Sequence, residues 1–341
     1  MENKLIVGVI GLGFGRSHMR AVIAYGAELA AVCDINEERL NARCDEDNIP
    51  KEIRCTDWHD VLNNDRINTV IIATPDQLHR EMAIAFLDAG KHVLCEKPLA
   101  LTREDMDAII AASKRSKAKC MVGQICRFTP AFVKAKELID AGAIGELFYV
   151  ESEYAHDYEE MFRNNPNYWR SDPLRHGVVG GGCHAVDLLR WIAGDPTEVF
   201  AYGVHKMLPM VPYDDTTISV IKFPNNVVGK VFVSTGCKRN YTMRSLFYGT
   251  KGTIICDNTS DHMQLFRVEE NAIKAKDEPE IIPIDINNHN TFHEFTVFAD
   301  HIINDTPVKM SAYEGAKTIE ICLSIVKSSE IEQAVRPNYN F

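Results

Sequence analysis

The sequence lacks the signatures of several classes of protein. Its ten cysteines include no C-x-x-C pair and no metal-ligand spacing, and several fall in apolar runs, which predicts buried thiols in a reducing compartment. Basic residues are outnumbered by acidic ones, 37 to 48, and the net charge of -11 argues against non-specific binding to nucleic acid. Because there is neither a signal peptide nor an apolar run of membrane-spanning length, we expect a cytoplasmic protein.

The first third of the chain has no repeats or low-complexity segments and alternates short strands with helices. This rhythm predicts a doubly wound parallel sheet over residues 1–123. The predicted strands are Leu5–Ile10, Glu28–Cys33, Thr69–Ala73, His92–Cys95 and Cys120–Gly123. The predicted helices are Ser17–Tyr25, Glu37–Asp47, Leu78–Ala89 and one that Thr102 caps.

After residue 123 the pattern changes to longer, alternating strands. They predict a second α/β domain over residues 124–341, built on a large open, mostly antiparallel sheet with one covered face. The predicted strands are Leu147–Ala155, Glu198–His205, Thr216–Phe223, Val227–Thr235 and Arg244–Cys256, with a hairpin turn at Asn225-Asn226. The predicted helices are Ala131–Ala141, Thr291–Asn304 and Ala312–Gln333, and the last two are candidates to pack back on the first domain.

A glycine-rich turn, Gly11-Leu12-Gly13-Phe14-Gly15, follows the first predicted strand and opens the first helix. Glycines there let a pyrophosphate approach the helix N-terminus, where free N–H groups and the helix dipole favour negative charge. The usual fingerprint places its last glycine three residues after the second, whereas Gly15 comes two after Gly13. The turn therefore indicates a dinucleotide site, with a plain tight turn as the alternative.

Asp34 ends the second predicted strand about twenty residues after the glycines. A carboxylate at this position accepts both ribose hydroxyls of an adenosine and repels a 2′-phosphate. The next residues are Ile35 and Asn36 rather than an arginine, so the sequence favours NAD over NADP. The alternative is that Asp34 only caps the helix that contains Glu37.

Lys97, in the segment Cys95-Glu96-Lys97-Pro98, is the candidate acid/base residue. Pro98 ends the preceding strand and stiffens the backbone, so the amine is held at a defined place. A partly desolvated lysine beside the positive ring of oxidised nicotinamide gives up its proton more readily and can act as a base. A surface lysine after a strand is the alternative.

Taken together, these residues resemble the glucose–fructose oxidoreductase / inositol dehydrogenase / rhizopine-catabolism (Gfo/Idh/MocA) family. The motifs that carry the resemblance are Gly11-x-Gly13, Asp34, Ala73-Thr74-Pro75 with His79, Glu96-Lys97-Pro98 and Gly-Gly-x-His184-x-x-Asp187. The resemblance implies a Rossmann domain followed by an α/β domain whose open sheet forms the contact of a homodimer or homotetramer. It also implies that a hydroxyl of a sugar, an inositol or a related polyol is oxidised or reduced with NAD or NADP.

The family pattern implies a role for each matching residue. Lys97 contacts the reacting hydroxyl, His184 shares proton transfer with it, and Asp187 fixes the substrate or that histidine. The residues predicted to contact the cofactor are Gly11, Leu12, Gly13, Phe14, Gly15, Asp34, Ile35, Thr74, Pro75, His79, Glu96, Lys97, Gln124 and Arg127. The alternative for His184 and Asp187 is an ordinary pair on one helix face.

The chain departs from the family pattern at one position. Many members carry an aspartate four residues before the equivalent of His184, and this chain has Gly180 there. The departure puts the usual proton relay in doubt but leaves the cofactor site intact. Asp157, Asp172 and His176 are the candidate replacements, and the sequence does not choose among them.

Two segments rich in aromatic, histidine and arginine side chains are candidates for the substrate pocket. Such side chains can stack on sugar faces and donate to hydroxyls, although a structured loop over the sheet would have the same composition. The residues predicted to contact substrate are Tyr154, His156, Asp157, Trp169, Arg170 and His176, with Lys97, His184 and Asp187. The histidines and aspartates among them lack regular spacing, so we expect no metal site.

The sequence thus predicts an NAD-dependent oxidoreductase that acts on a secondary hydroxyl of a sugar, glycoside or inositol-like polyol. The cofactor carries the redox step, and the protein orients the substrate and moves the proton. Two alternatives stay open. One is a redox-neutral lyase or hydrolase that uses tightly bound NAD to make a transient keto-sugar, and the other is a non-catalytic regulator that binds NAD or a sugar.

Overall fold

The computed structural model describes residues 4–165, 168–269, 272–275 and 277–341, and the chain divides into two compact units. The first unit contains the residues up to Gln124 together with Asn290–Ala316 and Phe341. The second contains Ile125–His289 and Lys317–Asn340. Residues 290–316, which the sequence-based division assigns to the second domain, therefore join the first unit.

The first unit is built on a parallel sheet with strand order β3-β2-β1-β4-β5-β6, which confirms the doubly wound prediction. Its strands are β1 (Ile6–Ile10), β2 (Glu28–Cys33), β3 (Arg54–Cys55), β4 (Thr69–Ile72), β5 (His92–Glu96) and β6 (Cys120–Gly123). Its helices are α1 (Gly15–Tyr25), α2 (Glu37–Glu46), α3 (Trp58–Leu62), α4 (His79–Asp88), α5 (Arg103–Arg115) and α10 (Thr291–Ile303). Strands buried on both faces need continuous apolar runs, and β4, with the sequence Thr-Val-Ile-Ile, is buried throughout.

The strand order reverses between β1 and β4, and this reversal opens a crevice at the carboxyl ends of the strands. The glycine turn follows β1 and Asp34 follows β2. Lys97 follows β5 and Gln124 follows β6. Because the strands are parallel, these residues all lie at the same edge of the sheet, which is where nucleotides bind in folds of this type.

The second unit is built on an open sheet with strand order β14-β13-β12-β11-β7-β10-β9-β8. Its strands are β7 (Leu147–Ala155), β8 (Glu198–Val204), β9 (Thr216–Lys222), β10 (Val228–Ser234), β11 (Arg244–Gly249), β12 (Gly252–Asp257), β13 (His262–Arg267) and β14 (Glu280–Pro283). Its helices are α6 (Pro130–Asp140), α7 (Glu159–Arg163), α8 (Gly177–Gly180) and α9 (Cys183–Ala193), while α11 (Ala312–Ile331) begins in the first unit and continues into the second. β7 and β10 pair in parallel and the other described neighbours are antiparallel, as the sequence predicted.

Helix α9 covers part of one face of this sheet, and the opposite face carries exposed side chains. α9 packs against β7 and β10, and the alternation along β9 buries Thr217, Ser219 and Ile221 while Ile218 and Val220 stay exposed. A period of two is the pattern expected of a strand with one covered face.

The prediction of a single strand over residues 244–256 is wrong. The chain reverses at Thr250-Lys251, so β11 and β12 form a hairpin in which Gly249 pairs with Gly252. A side chain at Gly249 would come within 2.1 Å of the Ile144 carbonyl oxygen, so this glycine meets a close backbone approach inside an apparently continuous strand pattern. The other predicted hairpin turn is confirmed, because Asn225 and Asn226 have φ values of 57° and 61°, as a two-residue turn of the I′ type requires.

The structure also bears on the state of the cysteines and on membrane-spanning segments. All ten cysteines are free thiols, and most of them are buried. In the part of the chain that the structure describes, no helix combines the length and apolar character needed to cross a membrane.

Candidate active site

The glycine turn combines one glycine that the fold requires with another that it does not. Gly11 has φ +86°, and a Cβ there would lie 2.5 Å from the Ala73 carbonyl oxygen, so both conformation and space exclude a side chain. Gly13 is different, because apart from Gly13 itself and its two chain neighbours no described residue has an atom within 4 Å of the position its Cβ would take, and its φ is not positive. Neither packing nor backbone strain explains Gly13, whereas close approach of a ligand would explain it.

The N-terminus of α1 is suited to an anion. The helix begins at Gly15, its first turn has no acidic residue, and the preceding Phe14 makes no side-chain cap. Uncapped N–H groups and the positive end of the helix dipole therefore face the turn. Phe14 is 36% exposed, which leaves its ring accessible beside the turn.

Asp34, directly after β2, is buried with 2% exposure, and its carboxylate hydrogen-bonds to the backbone of the glycine turn. Its carboxylate accepts the N–H of Leu12 at 2.7 Å and the N–H of Asn36 at 2.9 Å. Burial acts to raise the pKa of Asp34, but hydrogen bonds from Arg39 and the two N–H groups outweigh it, so the pKa lies below its ordinary value. The carboxylate is therefore charged at neutral pH. Ile35, next in the chain, is 89% exposed.

Sequence reasoning missed Arg39. Its Nε and Nη2 donate to the two oxygens of Asp34 at 2.8 and 2.7 Å, in the bidentate geometry that arginine and carboxylates prefer. Arg39 lies in the first turn of α2, and its side chain is 45% exposed. The helix start brings it back over Asp34, and a search of only the next two residues could not find it.

Lys97 follows β5 directly, at the carboxyl edge. Within Val93–Leu101, all of which the structure describes, Lys97 is the only residue that is not buried. Its side chain therefore emerges from a buried segment at a defined point. Its N–H donates to Glu96 Oε2 at 3.2 Å. The other oxygen of Glu96 lies 2.7 Å from Nε2 of His18, a residue of α1 that sequence reasoning did not single out.

The Thr74, Pro75 and His79 motif joins two segments at the same edge. His79 is fully buried, with Nδ1 2.8 Å from the Pro98 carbonyl oxygen and Nε2 3.2 Å from that of Thr74. This histidine therefore holds the loop after β4 beside the loop that follows Lys97. Thr74 and Pro75 are half-buried and remain available at the crevice.

Gln124 supplies a direct test of whether the crevice fits a nicotinamide. It ends the β6 segment with 2% exposure, and neither its Oε1 nor its Nε2 has a hydrogen-bond partner within the described ranges. Buried amides are almost always satisfied, so this one has the character of a ligand-binding group. A carboxamide offers the matching donor and acceptor. Together with Gly13 and the uncapped α1, Gln124 makes the crevice fit a nicotinamide dinucleotide.

In the second unit, His184 and Asp187 lie in the first turns of α9, as predicted. His184 is 4% exposed and Asp187 is 1% exposed. Arg127 donates to both oxygens of Asp187, at 2.7 and 2.8 Å, and the Thr318 hydroxyl donates at 2.8 Å. Burial acts to raise the pKa of Asp187, but the charge and hydrogen bonds of Arg127 outweigh it and hold the pKa below its ordinary value. The charges of Asp187 and Arg127 therefore neutralise each other.

An aromatic cluster surrounds His184. Tyr154 stacks on His184 with ring centroids 6.2 Å apart, and its hydroxyl bonds to Tyr158 at 2.7 Å. The pattern search missed Tyr241 and His289, whose rings stack at 5.6 Å with an interplanar angle of 5°. These two residues come from distant segments, so only tertiary structure brings them beside His184. Burial raises the pKa of Tyr154 and of Tyr241 well above the ordinary value, so the hydroxyl groups of these two residues stay protonated and can donate hydrogen bonds.

The structure places the other predicted substrate residues in two groups. His156 joins the aromatic cluster, 4.7 Å from the Tyr158 ring, whereas Asp157 pairs with Lys238 at 3.3 Å and accepts the N–H of Glu159. In the second group, the Arg170 guanidinium lies 4.4 Å from the Trp169 ring, and the His176 ring lies 5.9 Å from that of Tyr213.

The space left by Gly180 is occupied by Arg175. A Cβ at Gly180 would lie 2.0 Å from Arg175 Nη1, and Nη2 donates to the Gly180 carbonyl oxygen at 3.1 Å. Arg175 is 1% exposed, and its guanidinium lies 5.0 Å from the Trp169 ring. The space beside Gly180 therefore holds a buried cation.

The chain matches known proteins along most of its length. A family model described as the oxidoreductase family with an NAD-binding Rossmann fold matches residues 5–124, and a model of the GFO/IDH/MocA C-terminal domain matches residues 132–255. Levoglucosan dehydrogenase of Pseudarthrobacter phenanthrenivorans is 30% identical over 292 residues, which cover 75% of this chain and 74% of that protein. Myo-inositol 2-dehydrogenase of Thermotoga maritima is 26% identical over 342 residues, which cover 97% of this chain and 98% of that protein.

Solved structures agree with these matches. Levoglucosan dehydrogenase in complex with NADH and levoglucosan has a TM-score of 0.88 and 26% sequence identity, and the match covers 98% of this chain and 99% of that one. An aldose-aldose oxidoreductase from Caulobacter crescentus, at 22% identity and a TM-score of 0.84, shares the fold.

Proposed function

Because the chain belongs to the Gfo/Idh/MocA oxidoreductase family, we propose that it transfers hydride between NAD and a secondary hydroxyl of a sugar, glycoside or inositol-like polyol. The single observation that carries the cofactor part is Gly13, a glycine that neither packing nor a positive φ requires and that the close approach of a ligand explains. Relatives named levoglucosan dehydrogenase and inositol 2-dehydrogenase support the class of substrate.

Oxidation of a CH–OH group releases a hydride and a proton. NAD, when bound, would supply the hydride acceptor. Lys97, held at the end of β5, takes the hydroxyl proton, and Gln124 would hold the carboxamide of the nicotinamide. His184 contacts the sugar and shares in the proton transfer, and the residues around it, Tyr154 and His156, donate to hydroxyls and present ring faces to the sugar.

NAD is the preferred cofactor in this proposal. The charged carboxylate of Asp34 stands where the adenosine ribose binds in this type of fold, and it disfavours a 2′-phosphate. Arg39 weakens that preference, because its guanidinium neutralises Asp34 and is itself a group that binds phosphate. Exposed Ile35 offers an apolar contact for the adenine ring.

A second copy of the chain is the proposed partner, and it would dock through the open face of the β7–β14 sheet. The apolar side chains that remain exposed on this face are Tyr202, Val204, Ile218, Val220, Val228 and Ile281. The first five lie on the adjacent strands β8, β9 and β10, and an exposed apolar patch of this kind is uncommon on a monomer. We also propose a cytoplasmic location, since ten free thiols suit a reducing compartment.

Incubation with NAD and a panel of cyclic polyols, anhydrosugars and glycosides tests the proposal, with reduced nicotinamide followed by absorbance. We expect turnover with at least one member. Lys97→Met should lower kcat/KM by about a hundred- to ten-thousandfold while NAD binding persists, since general-base help is of this size. Lys117→Met, at an exposed lysine of the same unit, is the matched control and should behave as wild type.

Two results would favour other functions, and a third would remove the proposal. Cleavage of a glycoside without net formation of reduced cofactor would favour the redox-neutral alternative. NAD binding without turnover on any substrate, unaffected by Lys97→Met in every assay, would favour a regulator. Absence of NAD binding would remove the proposal.

A further inference from the structure

Three ionisable side chains from three different elements meet in the interior of the first unit. His18 lies on α1, Glu96 ends β5 and Glu294 lies on α10, and their exposed fractions are 0%, 6% and 0%. His18 Nε2 lies 2.7 Å from Glu96 Oε1 and 4.0 Å from Glu294 Oε2. We call these three residues the buried cluster.

The surroundings of Glu294 favour a proton on its carboxyl group. A hydrogen bond joins His18 Nε2 and Glu96 Oε1, and neither oxygen of Glu294 has a hydrogen-bond partner among the described residues. Burial, and then the charge of Glu96, raise the pKa of Glu294 well above its ordinary value. Burial also acts on Glu96, but there the hydrogen bond and charge of His18, with the charge of Lys97, hold the pKa below its ordinary value.

The position of the buried cluster connects the glycine turn to Lys97. The Phe14 ring meets His18 edge-on, with centroids 5.4 Å apart at 86°, and Glu96 accepts the N–H of Lys97. α1, the helix that opens at the glycine turn, is therefore joined through His18 and Glu96 to the backbone that carries the reacting amine.

α10 closes the cluster from the other side. The Thr291 hydroxyl donates to the Ser17 carbonyl oxygen at 3.3 Å, and Phe295 packs edge-on against Tyr25 with centroids 5.4 Å apart. These contacts dock α10 on α1 about one turn before Glu294 and at the residue that follows it. The carboxyl group is thus held against His18 and Glu96 by neighbours on both sides, and its placement does not depend on a hydrogen bond of its own.

We propose that Glu294, as a neutral carboxylic acid, and His18 are positioning residues that fix the Glu96 carboxylate and, through it, the backbone of Lys97. This inference rests on the proposed role of Lys97 in proton transfer. A neutral Glu294 leaves the Glu96 charge to His18 and Lys97, whereas an ionised Glu294 would repel Glu96 and compete for His18.

A divalent cation is the competing occupant. The three possible ligand atoms lie within 4.8 Å of one another, close enough for a metal site. A cation between them would separate the nitrogen and oxygen that the 2.7 Å bond joins, so the geometry favours a proton.

Infrared spectroscopy on the whole protein tests the protonation state without any substrate. At neutral pH we expect a C=O stretching band of a protonated carboxylic acid that Glu294→Gln removes and that Glu81→Gln, at an exposed position of the same unit, leaves in place. Wild-type protein without such a band, or with one equivalent of metal by elemental analysis that Glu294→Gln abolishes, would overturn the proposal.

Kinetics test the positioning role. Glu294→Gln keeps the shape and neutrality of the acid, so we expect kcat and KM within about twofold of wild type, whereas Glu294→Ala should lower kcat by about ten- to a hundredfold with a smaller change in KM for NAD. Equal activity of both variants, or equal loss in both, contradicts the proposal. If no substrate turns over, the proposed function has failed, and the infrared band and NAD affinity of the two variants still decide on the cluster.

Discussion

At the scale of single residues, Gly13 separates the requirements of the fold from those of the ligand. Gly13→Ala places a methyl group where the chain itself has no neighbour, and it also restricts the unfolded chain. We expect thermal stability that is unchanged or raised by about 0.4–1 kcal/mol, and NAD affinity that falls at least about tenfold because the methyl group meets the pyrophosphate. Calorimetric melting and NAD titration measure the two effects.

Gly26, at the other end of α1, provides the opposite case. It ends α1 with φ +85° and open space around its Cβ, so Gly26→Ala strains the backbone without approaching the crevice. This variant should lose about 1 kcal/mol of stability and retain NAD affinity. If Gly13→Ala instead destabilised the protein and bound NAD normally, the turn would be structural only.

Cofactor preference is decided at Asp34 and Arg39. Asp34→Ser removes the charge that disfavours a 2′-phosphate and releases the guanidinium that Asp34 holds, so the ratio of NADP to NAD affinity should rise at least about tenfold. Arg39→Ala leaves the Asp34 charge without this partner and should sharpen the preference for NAD. Titration of both cofactors into the three proteins measures the ratio, and an unchanged ratio in Asp34→Ser would show that another residue selects the cofactor.

The place of a residue in the fold was predictable where a motif follows a strand. The carboxyl edge of the parallel sheet holds Gly11, Asp34, Lys97 and Gln124, so the crossover topology alone brings them to one edge. It failed for Glu294, because nothing in the local sequence of α10 says that this helix packs on α1.

At the scale of elements, the missed hairpin has an identifiable cause. Residues 244–256 show continuous strand propensity. The chain reverses in a two-residue loop between Gly249 and Gly252, and position 249 must be glycine because the Ile144 backbone lies too close for a side chain. The Asn225-Asn226 turn was predictable, since asparagine tolerates the positive φ that the turn requires. Local chemistry specifies the second reversal, and tertiary packing specifies the first.

The exposed face of the second sheet gives a prediction at this scale. The double variant Ile218→Asp/Val220→Asp introduces two charges at the centre of β9 on the open face, without touching the buried residues of that strand. Burying those charges in an interface is costly, so we expect an assembly that dissociates to monomers, measured by light scattering after size-exclusion chromatography. Glu137→Lys, on α6, is the control for altered charge and should keep the wild-type mass. A monomeric wild-type protein would remove the proposed interface. A double variant with the same mass as an oligomeric wild type would place the interface elsewhere.

At the scale of the whole molecule, the two units are not simply successive parts of the chain. Residues 290–316 return to the first unit after the second sheet has been completed, and they bring Glu294 with them. A reading along the chain finds strand and helix periods but not which distant helix covers which surface, because that depends on tertiary packing. The sheet classes were therefore predictable, and the composition of the buried cluster was not.

The pH dependence of stability follows from this arrangement. Asp187 has a lowered pKa in the folded state, so it stabilises the protein above its ordinary value of 3.8 and this contribution is lost as the pH falls further. Glu294 acts in the opposite direction: its folded pKa is raised above 4.5, so the folded state retains a proton that the unfolded chain releases, and stability declines as the pH rises above that value. The ionisable groups that face Glu294 are His18 from α1 and Glu96 from β5, and they remain in Glu294→Gln. Asp187 is also common to both proteins and cancels in the comparison.

The melting temperature of Glu294→Gln relative to wild type should therefore rise steadily from about pH 5 to about pH 8, with a slope of at most about 1.4 kcal/mol per pH unit when converted to free energy. Calorimetry across this range measures the difference, and a constant difference would mean that Glu294 is ionised in the folded protein.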